Sequence, residues 1–517
     1  MYPIKITLLT PIHIGSGVNL ESLTSYVHFP GEQKIVLIDE YKIYQLFQNK
    51  QSDMEDWIRQ INDKAHNKTL SKGAFLEWIK LKAGRKNIQL TDVGNTIIDY
   101  RPSSDNKSTT TQVLKTALRS GNGRILLPGS SIKGSLRTAF FTNSLPKTLS
   151  RVDWTDERSK FSGKALEKRI FSPETKKISD SPNYDVFRFV RFSDFHFDHS
   201  EAYICRVFSN YDADVQDRKD LDNILECIPS GQIAYGTLQI PKNQIHLNTK
   251  YSIINEEANK RIDIYKLFKE SNDYLLNQLD LEKERFKNAN DPVDSFLIEL
   301  NDIAEKIKKL DSNNQCILRI GAGSGFLFTT GGWQEKLMPE TERRKLAFDV
   351  RHGRNKNDKL PFPRSRKYIS GSTSLPLGFV LLELLDPELW KEEQRAVELR
   401  RAQIDAEIRA EQQRDLERIE KEEKERAQKE KERDVLEPLT NPVRSNDEVD
   451  VRILESVPGK PRSTHVEMMD NKGNVKRGIM SGYNATPDEY GKVAIAKVQK
   501  VDGMTRIPEL LNFVRFK

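Results

Sequence analysis

Cysteine is scarce in this chain: Cys205, Cys227 and Cys316 are the only three among 517 residues, and they lie far apart. This excludes a disulfide scaffold and a cysteine-based zinc site, and it fits a reducing cytoplasm. Long apolar runs are missing too, since no window approaches the roughly 18 consecutive apolar residues of a membrane span. The first residues contain one lysine and no small-residue cleavage site, so they predict a β-strand rather than a signal peptide.

Several motifs that mark enzyme families are also absent. The sequence has no G-x-x-x-x-G-K-[ST] phosphate loop, no H-E-x-x-H and no C-x-x-C. Ser130 and Lys133 match the S-x-x-K of serine acyl enzymes, but no S-D-N or K-T-G follows them. The glycines Gly321, Gly323 and Gly325 are spaced G-x-G-x-G, not G-x-G-x-x-G, which argues against a dinucleotide fold.

Charge is abundant but unevenly distributed. The chain has 83 basic and 76 acidic residues, a net charge of +7. From Lys391 to Asp434 the sequence is nearly pure charge, with 13 basic and 15 acidic residues, and it has too few apolar residues for a heptad seam. We therefore predict a single helix held by ion pairs there. The positive excess lies outside this segment, as a surface for an acidic partner requires, although an ordinary basic protein has the same balance.

Strand-like and helical segments alternate irregularly along the chain. Residues 1–40 and 121–250 have the alternation of strands, whereas residues 41–120 and 251–312 have helical spacing. Strands return at Cys316. The pattern lacks the regular rhythm of a parallel doubly wound sheet and predicts an α+β fold with an antiparallel sheet.

We expect five segments with distinct roles. They are a core at 1–250 with a helical insertion at 41–120, a second helical insertion at 251–312, returning core strands with a glycine-rich loop at 313–390, a charged helical linker at 391–439, and a small β-barrel-like module at 440–517. The last segment contains four short predicted strands. It is typical of a nucleic-acid-binding barrel or of a protein-docking module, and the sequence does not separate the two.

The first segment with chemical potential is TPIHIGSG, residues 10–17. Gly15 and Gly17 follow a strand and allow the backbone to approach a ligand closely, and Ser16 can donate to a phosphate. A simple glycine hairpin turn has the same pattern. His13 suits acid–base catalysis or a structural role at a strand end.

The second segment is LLPGSSIKGSLRTAFF, residues 126–141. Gly129 follows a predicted strand, Ser130 or Ser131 caps the next helix, and Lys133 and Arg137 lie one turn apart on one face. A helix N-terminus with serines and two cations suits a phosphodiester backbone. A capped helix with exposed basic residues is the structural alternative.

Two further segments are less specific. In ILRIGAGSGFLFTTGGW, residues 317–333, a glycine-rich loop follows a strand beside Arg319 and two phenylalanines, which suits a stacked base. Asp194, His196 and Asp198 alternate along RFSDFHFDHSE and share one face of a strand. That face is either part of a metal site or the polar side of an edge strand, and no further ligand is identified.

The order of these segments resembles the RAMP superfamily of CRISPR–Cas proteins. The resemblance is carried by PIHIGSG, KIVLIDEYKI, LPGSSIKGSLRTA, FVRFSDF and RIGAGSGF, and it covers roughly residues 1–385. Within the superfamily the chain is most similar to the fifth-named Csm family, the subunit at the 3′ end of the guide RNA in type III effector complexes. The charged helix and the C-terminal module lie outside this pattern.

The resemblance implies a ferredoxin-like (RRM-like) core and a non-catalytic RNA-binding subunit in antiviral defence. Its implied partners are guide RNA, target RNA and other effector subunits, with no membrane and no cofactor, in the cytoplasm. The RNA-binding residues it suggests are His13, Gly15, Ser16, Gly17, Gly129, Ser130, Ser131, Lys133, Arg137, Arg319, Gly321, Gly323 and Gly325.

An endoribonuclease is the alternative. Related subunits cut target RNA with an aspartate in the loop after the first strand, whereas the only acid in that loop here is Glu21. A carboxylate one methylene longer places its oxygen about an ångström away, which costs much of the rate. A target cutter needs Mg²⁺ and an acid such as Glu21, Asp39 or Asp194, and a guide-processing enzyme would use His13 as a base without a metal.

Overall fold

The computed structural model describes residues 1–22, 24–48, 50–67, 72–84, 87–103, 113–146, 163–172, 182–211, 214–217, 222–241, 256–286, 293–339, 365–433, 436–439, 442–458, 460, 462–502 and 507–517. They form two units, residues 1–394 and 395–517. None of the helices in these ranges combines the length and apolar character that a bilayer crossing demands.

The first unit mixes short strands with helices. Its strands are β1 (Tyr2–Leu8), β2 (Gly15–Glu21), β3 (Tyr26–Phe29), β4 (Lys34–Leu37), β5 (Ile97–Arg101), β6 (Val113–Ala117), β7 (Ile125–Leu127), β8 (Arg191–Phe192), β9 (Phe195–Phe197), β10 (Glu201–Tyr211), β11 (Asp214–Asp217), β12 (Asn223–Cys227), β13 (Ile233–Gln239), β14 (Gln315–Arg319), β15 (Ser365–Ser370), β16 (Ser374–Pro376) and β17 (Phe379–Leu384). Its helices are α1 (Glu40–Leu46), α2 (Gln51–Asn67), α3 (Lys72–Ala83), α4 (Leu90–Val93), α5 (Gly129–Ser144), α6 (Gly163–Phe171), α7 (Glu256–Arg261), α8 (Ile264–Phe286), α9 (Val293–Lys308) and α10 (Gly332–Leu337). Short 3₁₀ turns lie at Pro182–Tyr184 and Val186–Phe189, and a π turn at Leu327–Gly331 precedes α10.

The first sheet has the ferredoxin-like strand order. Its strands lie in the order β14-β17-β1-β13-β8, and every neighbouring pair is antiparallel. Along the chain, helix α5 lies between β1 and β8, and α8 lies between β13 and β17. The chain β1-α5-β8-β13-α8-β17 thus forms a split β-α-β pair with strand order 4-1-3-2, to which β14 adds an outer strand. The predicted α+β fold with a ferredoxin-like core is confirmed.

Alternating side chains place the core on one face of this sheet. Ile4, Ile6 and Leu8 of β1 are buried in one cluster with Leu136 of α5 and Phe268 of α8. Each such side chain stabilises the fold by about 1.5–3 kcal/mol when fully buried. The sequence alternation in β1 therefore determines which face the two helices cover.

The second sheet contains ten strands. The path β2-β6-β12-β10-β5-β4-β3 is extended by β11 and β15, which pair with β10, and by β16, which pairs with β15. Helices α1–α4 cover β3 and β4 through a cluster that includes Val27, Val36, Phe47 and Trp57. The predicted helical insertion is therefore helical only in its first part.

One sequence prediction in this insertion is wrong. The apolar spacing in residues 41–120 predicts helices, but the range also contains β5 and β6. In β5, Ile98 and Tyr100 are buried on alternate positions, and in β6 Leu114 is fully buried. These runs of five residues are too short to dominate the helical periodicity around them. Of the predicted helical segment 251–312, residues 251–255 and 287–292 lie outside the described residues, and the rest forms α7–α9.

The charged segment forms helix α11 (Pro387–Arg433), which has 47 residues and a length of about 70 Å at 1.5 Å per residue. The Glu388 N–H donates to the Asp386 carboxylate at 2.8 Å, which caps the first turn, and Pro387 suits the first helical position. Lys424 forms an ion pair with Glu420, which lies one turn earlier on the helix. Each such pair adds about 0.2–0.5 kcal/mol to a helix that has little apolar surface.

The second unit contains a closed barrel with strands β18 (Glu448–Ser456), β19 (Ser463–Met469), β20 (Val475–Ser481), β21 (Val493–Val501) and β22 (Pro508–Phe516), in the order β18-β19-β20-β22-β21. The small C-terminal β-module is confirmed, but it has five strands where four were predicted. Strand β22 was missed because it lacks strict alternation: only Pro508 and Leu511 are buried along it. Its register against β21 also shifts three times.

Candidate functional site

Three loops meet at one edge of the first sheet. Strands β1, β8 and β14 run in the same direction, because each is separated from the next by one antiparallel strand. Their carboxyl ends therefore lie at the same edge, which we call the loop edge. Four strand spacings separate β8 from β14, or about 19 Å. The loops that follow these strands contain three of the four segments selected from the sequence.

The first loop carries His13, which is 5% exposed. Its Nδ1 lies 2.7 Å from the carbonyl oxygen of Glu226. Since a carbonyl only accepts, Nδ1 carries the hydrogen of this bond. Burial lowers the pKa of His13 below its usual 6.5, although Glu226 opposes this effect. The imidazole is thus neutral at pH 7, and its hydrogen bond to Glu226 holds the first loop in place.

Gly15, Ser16 and Gly17 are the first three residues of β2. Gly17 has φ +84°, a conformation that glycine adopts without strain. The Ser16 hydroxyl lies 2.7 Å from Thr116 Oγ1 and accepts from the Val18 N–H at 3.0 Å. Gly15 and Gly17 are exposed. The hydroxyl predicted as a phosphate donor is therefore bound within the sheet, and the glycine backbone faces solvent.

The glycine-rich loop after β14 contacts this first loop directly. The Ala322 N–H donates to the His13 carbonyl at 2.9 Å. Gly321, Gly323 and Gly325 have φ values of +76°, +87° and +72°. A Cβ on Gly321 would lie 2.7 Å from the His13 carbonyl oxygen, so only glycine permits this approach. Two glycine motifs more than 300 positions apart thus form one surface.

Arg319, which the sequence predicts as an RNA contact, supports this loop from its buried side. The side chain is buried, and it donates from Nε to the Leu377 carbonyl and from Nη2 to the Gly323 carbonyl, both at 3.1 Å. The guanidinium also lies 4.4 Å from the Phe328 ring centre. Burial lowers the pKa of Arg319 to about 10, so it stays charged at neutral pH. Its hydrogen bonds fix the shape of the loop.

The start of α5 lies at the same edge, and Asp194 caps it. The Gly129 N–H donates to Asp194 Oδ1 at 2.9 Å. A Cβ on Gly129 would lie 2.5 Å from the Phe192 carbonyl oxygen. The predicted serine cap is wrong: Pro128 is the N-cap residue and makes no side-chain cap bond, while Ser130 is exposed and Ser131 half-buried. A carboxylate from the loop after β8 supplies the cap because it is close enough to reach the helix end.

The two cations of α5 differ. Arg137 donates to Asp185 at 2.6 Å, contacts Glu167 at 3.5 Å and lies 3.5 Å from the Phe171 ring centre. These contacts engage within the protein the guanidinium that the sequence predicts as an RNA contact. Lys133 is half-buried, and no described residue forms an ion pair or hydrogen bond with its ammonium. Burial lowers the pKa of Lys133, with Asp185 opposing.

Helix α5 is joined to the glycine-rich loop through its second turn. The Ser135 hydroxyl donates to the Arg319 carbonyl at 3.2 Å. The strand that precedes α5 is tied to the first loop in turn, since the Leu118 N–H donates to Ile14 and the Leu126 N–H to Leu118. The loop edge is therefore one connected backbone surface with exposed glycines, Ser130 and Lys133.

The candidate catalytic acids have other partners or none. Asp39 caps α1 by accepting from the N–H groups of Tyr41 and Lys42 at 3.0 and 3.3 Å. Glu21 lies exposed at the end of β2. Asp198 accepts from Arg124 at 2.5 Å. In the part of the chain that the structure describes, no three His, Cys, Asp or Glu side chains gather as a metal site.

Sequence reasoning missed Glu226, a fully buried carboxylate behind the first loop. It accepts from the Ala117 N–H at 2.8 Å and the Ser200 hydroxyl at 2.7 Å, and it pairs with Arg119. Its backbone carbonyl binds His13. A lone glutamate within the apolar strand NILEC is the signal that identifies such a residue, because a buried carboxylate needs several donors.

A family model described as the RAMP superfamily matches residues 5–328. A chain of a Csm–crRNA–target RNA ternary complex of the type III-A CRISPR–Cas system has a similar fold, with a TM-score of 0.52 and 19% identity over 74% of this chain and 100% of that chain. Csm5 of T. onnurineus has a TM-score of 0.48 and 16% identity over the same shares. No curated protein sequence is similar enough to count as a match.

Proposed function

The chain belongs to the RAMP superfamily, and on that premise we propose that it is a non-catalytic RNA-binding subunit of a type III CRISPR–Cas effector complex. It holds the 3′ region of the guide RNA and the target RNA in antiviral defence. Its partners are these two RNAs and the other effector subunits, and it acts in the cytoplasm without a cofactor. The fold that it shares with a chain of the Csm–crRNA–target RNA complex supports this proposal.

The observation that carries the proposal is the contact between Ala322 and His13, which joins two glycine loops at the loop edge. Glycines lack a side chain that would keep a ligand away from the backbone, so a phosphodiester chain can approach closely. Lys133 adds a cation with which no described residue forms an ion pair. This surface suits the sugar–phosphate backbone of a single strand, which is recognised largely without regard to sequence.

The acids support a non-catalytic role. Asp39 and Asp194 each accept from backbone N–H groups at a helix start. A carboxylate engaged in this way is oriented by the helix that it caps. His13 is buried and its Nδ1 is bound to the Glu226 carbonyl, so it lacks the exposure that a general base needs towards an RNA hydroxyl.

Purification of the assembled complex through this subunit, followed by sequencing of the bound RNA, tests the proposal. We expect short RNAs with a shared CRISPR-derived sequence, and protection of their 3′ regions that is lost when this subunit is omitted. Recovery of the complex without RNA, or protection that does not depend on this subunit, would contradict the proposal.

A further inference from the structure

The C-terminal barrel has a groove that the proposed function leaves unused. The groove has a volume of about 680 Å³ and crosses β18, β19 and β20. Its lining includes Leu454, Glu455, His465, Arg477, Ile479 and Tyr490. The volume lies in the range of specific ligand sites.

The strand order of the barrel identifies the face on which the groove lies. The order β18-β19-β20-β22-β21 with β20 parallel to β22, and all other pairs antiparallel, is the 1-2-3-5-4 connection of the oligonucleotide-binding (OB) barrel. In such barrels the face of the second and third strands binds single strands. His465 lies on β19, and Arg477 and Ile479 lie on β20. The groove thus lies on that face.

The lining has the chemistry that a single strand requires. Tyr490 is 41% exposed, and its hydroxyl oxygen accepts a hydrogen bond from the Ser456 N–H at 3.5 Å. The Arg477 side chain is 77% exposed and lies 3.7 Å from Glu467. An aromatic ring and an exposed guanidinium that line the same groove offer a stacking surface for a base and a contact for a phosphate.

Charge also favours a polyanion over a protein partner. Residues 440–517 contain 13 basic and 10 acidic residues, a net charge of +3. Among the described lining residues only Glu455 is acidic. Ile453, Leu454 and Ile479 are the aliphatic residues of the lining. Ile453 is fully buried, and the other two do not make the contiguous apolar patch typical of a protein interface.

We propose that this groove is a second RNA-binding site, which stacks a base of single-stranded RNA on Tyr490 and contacts a phosphate through Arg477. The choice of RNA over DNA rests on the proposed function of the first unit. The site itself rests on the barrel.

Photo-crosslinking of the full-length protein tests this site. The probe is a 4-thiouridine-containing uridine oligonucleotide of about 16 nucleotides, the upper length that one such barrel covers, and the crosslinked peptides are identified by mass spectrometry. We expect crosslinks in the peptide that contains Tyr490 as well as at the loop edge. Tyr490→Ala should reduce the barrel crosslink at least about fivefold, as loss of one stacked base implies, and Arg477→Ala should also reduce it.

Two variants separate stacking and charge from folding. Tyr490→Phe keeps the ring and should retain the barrel crosslink. Arg515→Ala removes another exposed arginine of the barrel. Arg515 lies on β22 and pairs with Glu448 of β18 at 3.4 Å. This variant should leave the barrel crosslink unchanged.

The outcomes distinguish this inference from the proposed function. Crosslinks at the loop edge alone, or barrel crosslinks that Tyr490→Ala and Arg477→Ala do not change, overturn the groove and leave the loop edge intact. Barrel crosslinks that depend on Tyr490, without any at the loop edge, support the groove and contradict the RNA contact of the first unit. No crosslink at either place contradicts both.

Discussion

The Ala322 N–H donates a 2.9 Å hydrogen bond to the His13 carbonyl, which joins the glycine-rich loop after β14 to the loop after β1. The two residues are 309 positions apart, so this bond closes the loop edge only when the first sheet has formed. Arg319 and the buried His13 hold the two sides of the contact. The proposed RNA surface therefore depends on buried groups that fix the shape of its two loops.

Gly321→Ala should disrupt this contact. Alanine at φ +76° is strained, and its Cβ would lie 2.7 Å from the His13 carbonyl oxygen. We expect a loss of about 1–3 kcal/mol in the free energy of unfolding, together with weaker RNA binding, measured by thermal unfolding and fluorescence anisotropy.

Gly84→Ala is the matched control for this prediction, because its φ of +63° gives similar strain, its Cβ would meet no atom within 4 Å, and it follows α3, outside the loop edge. Its RNA affinity should change less. Equal losses of affinity in both variants would show that the Ala322–His13 contact is not what orders the surface.

Arg319→Met should destabilise the protein before it affects RNA. The variant leaves the Leu377 and Gly323 carbonyls without their buried donor. Loss of these bonds costs about 2–5 kcal/mol, so the midpoint of denaturant unfolding should fall. If instead the stability is unchanged and the salt dependence of RNA binding drops, Arg319 contacts phosphate and its structural assignment is wrong.

The sequence indicated where the loop-edge segments lie, but not which side chains face solvent. Glycines at 15, 17, 321, 323 and 325 follow or precede apolar strands, a local pattern that is visible without a structure. The burial of Arg319 depends on Leu377, and the ion pairs of Arg137 on Asp185 and Glu167, all distant in sequence. The sequence around an arginine near a glycine motif is therefore the same whether the arginine binds a ligand or another part of the protein.

The fold was predictable to the same extent. Period-two burial in β1 and the charge of α11 follow from local sequence. The positions of β5 and β22 do not follow from local sequence. Strand β5 is a short run that comes after helices, and the register of β22 against β21 shifts. The cap of α5 also escaped prediction, since Asp194 reaches Gly129 only through the pairing of β8 in the first sheet.

The stability of the protein should fall in mild acid through His13. Burial lowers the pKa of His13 in the folded state below the unfolded value near 6.5. Its contribution is therefore complete above pH 6.5 and is lost as the pH falls through the folded pKa, by up to about 1.4 kcal/mol per pH unit.

His13→Asn isolates this effect, since an asparagine amide can still donate to the Glu226 carbonyl but does not titrate between pH 7.5 and about 5. Denaturant unfolding at these two pH values should show a smaller difference for the variant than for the wild type. An identical difference would mean that other groups determine the acid sensitivity.

The assembled complex should cut target RNA equally well with Glu21→Ala, Asp39→Asn or Asp194→Asn in this subunit. The two asparagines keep an oxygen that can accept from the capped N–H groups, so α1 and α5 retain their starts. Labelled target RNA and a sequencing gel read the cut positions, with and without Mg²⁺. Loss of a single cut at a fixed distance from the end of the guide, in any of the three variants, would make this subunit a nuclease.

The salt dependence of RNA binding by Lys133→Ala tests the central claim most directly. The matched control is Lys308→Ala, an exposed lysine paired with Glu305 at 2.7 Å that precedes the start of β14 and so lies towards the opposite edge of the first sheet. Fluorescence anisotropy with a uridine oligonucleotide over a series of KCl concentrations gives the slope of log K against log salt. We predict that Lys133→Ala lowers the steepness of this slope by about 0.7, as one lost phosphate contact on a single strand implies, while Lys308→Ala leaves it unchanged. A Lys133→Ala slope equal to that of the wild type, with the fold intact, would contradict RNA binding at the loop edge.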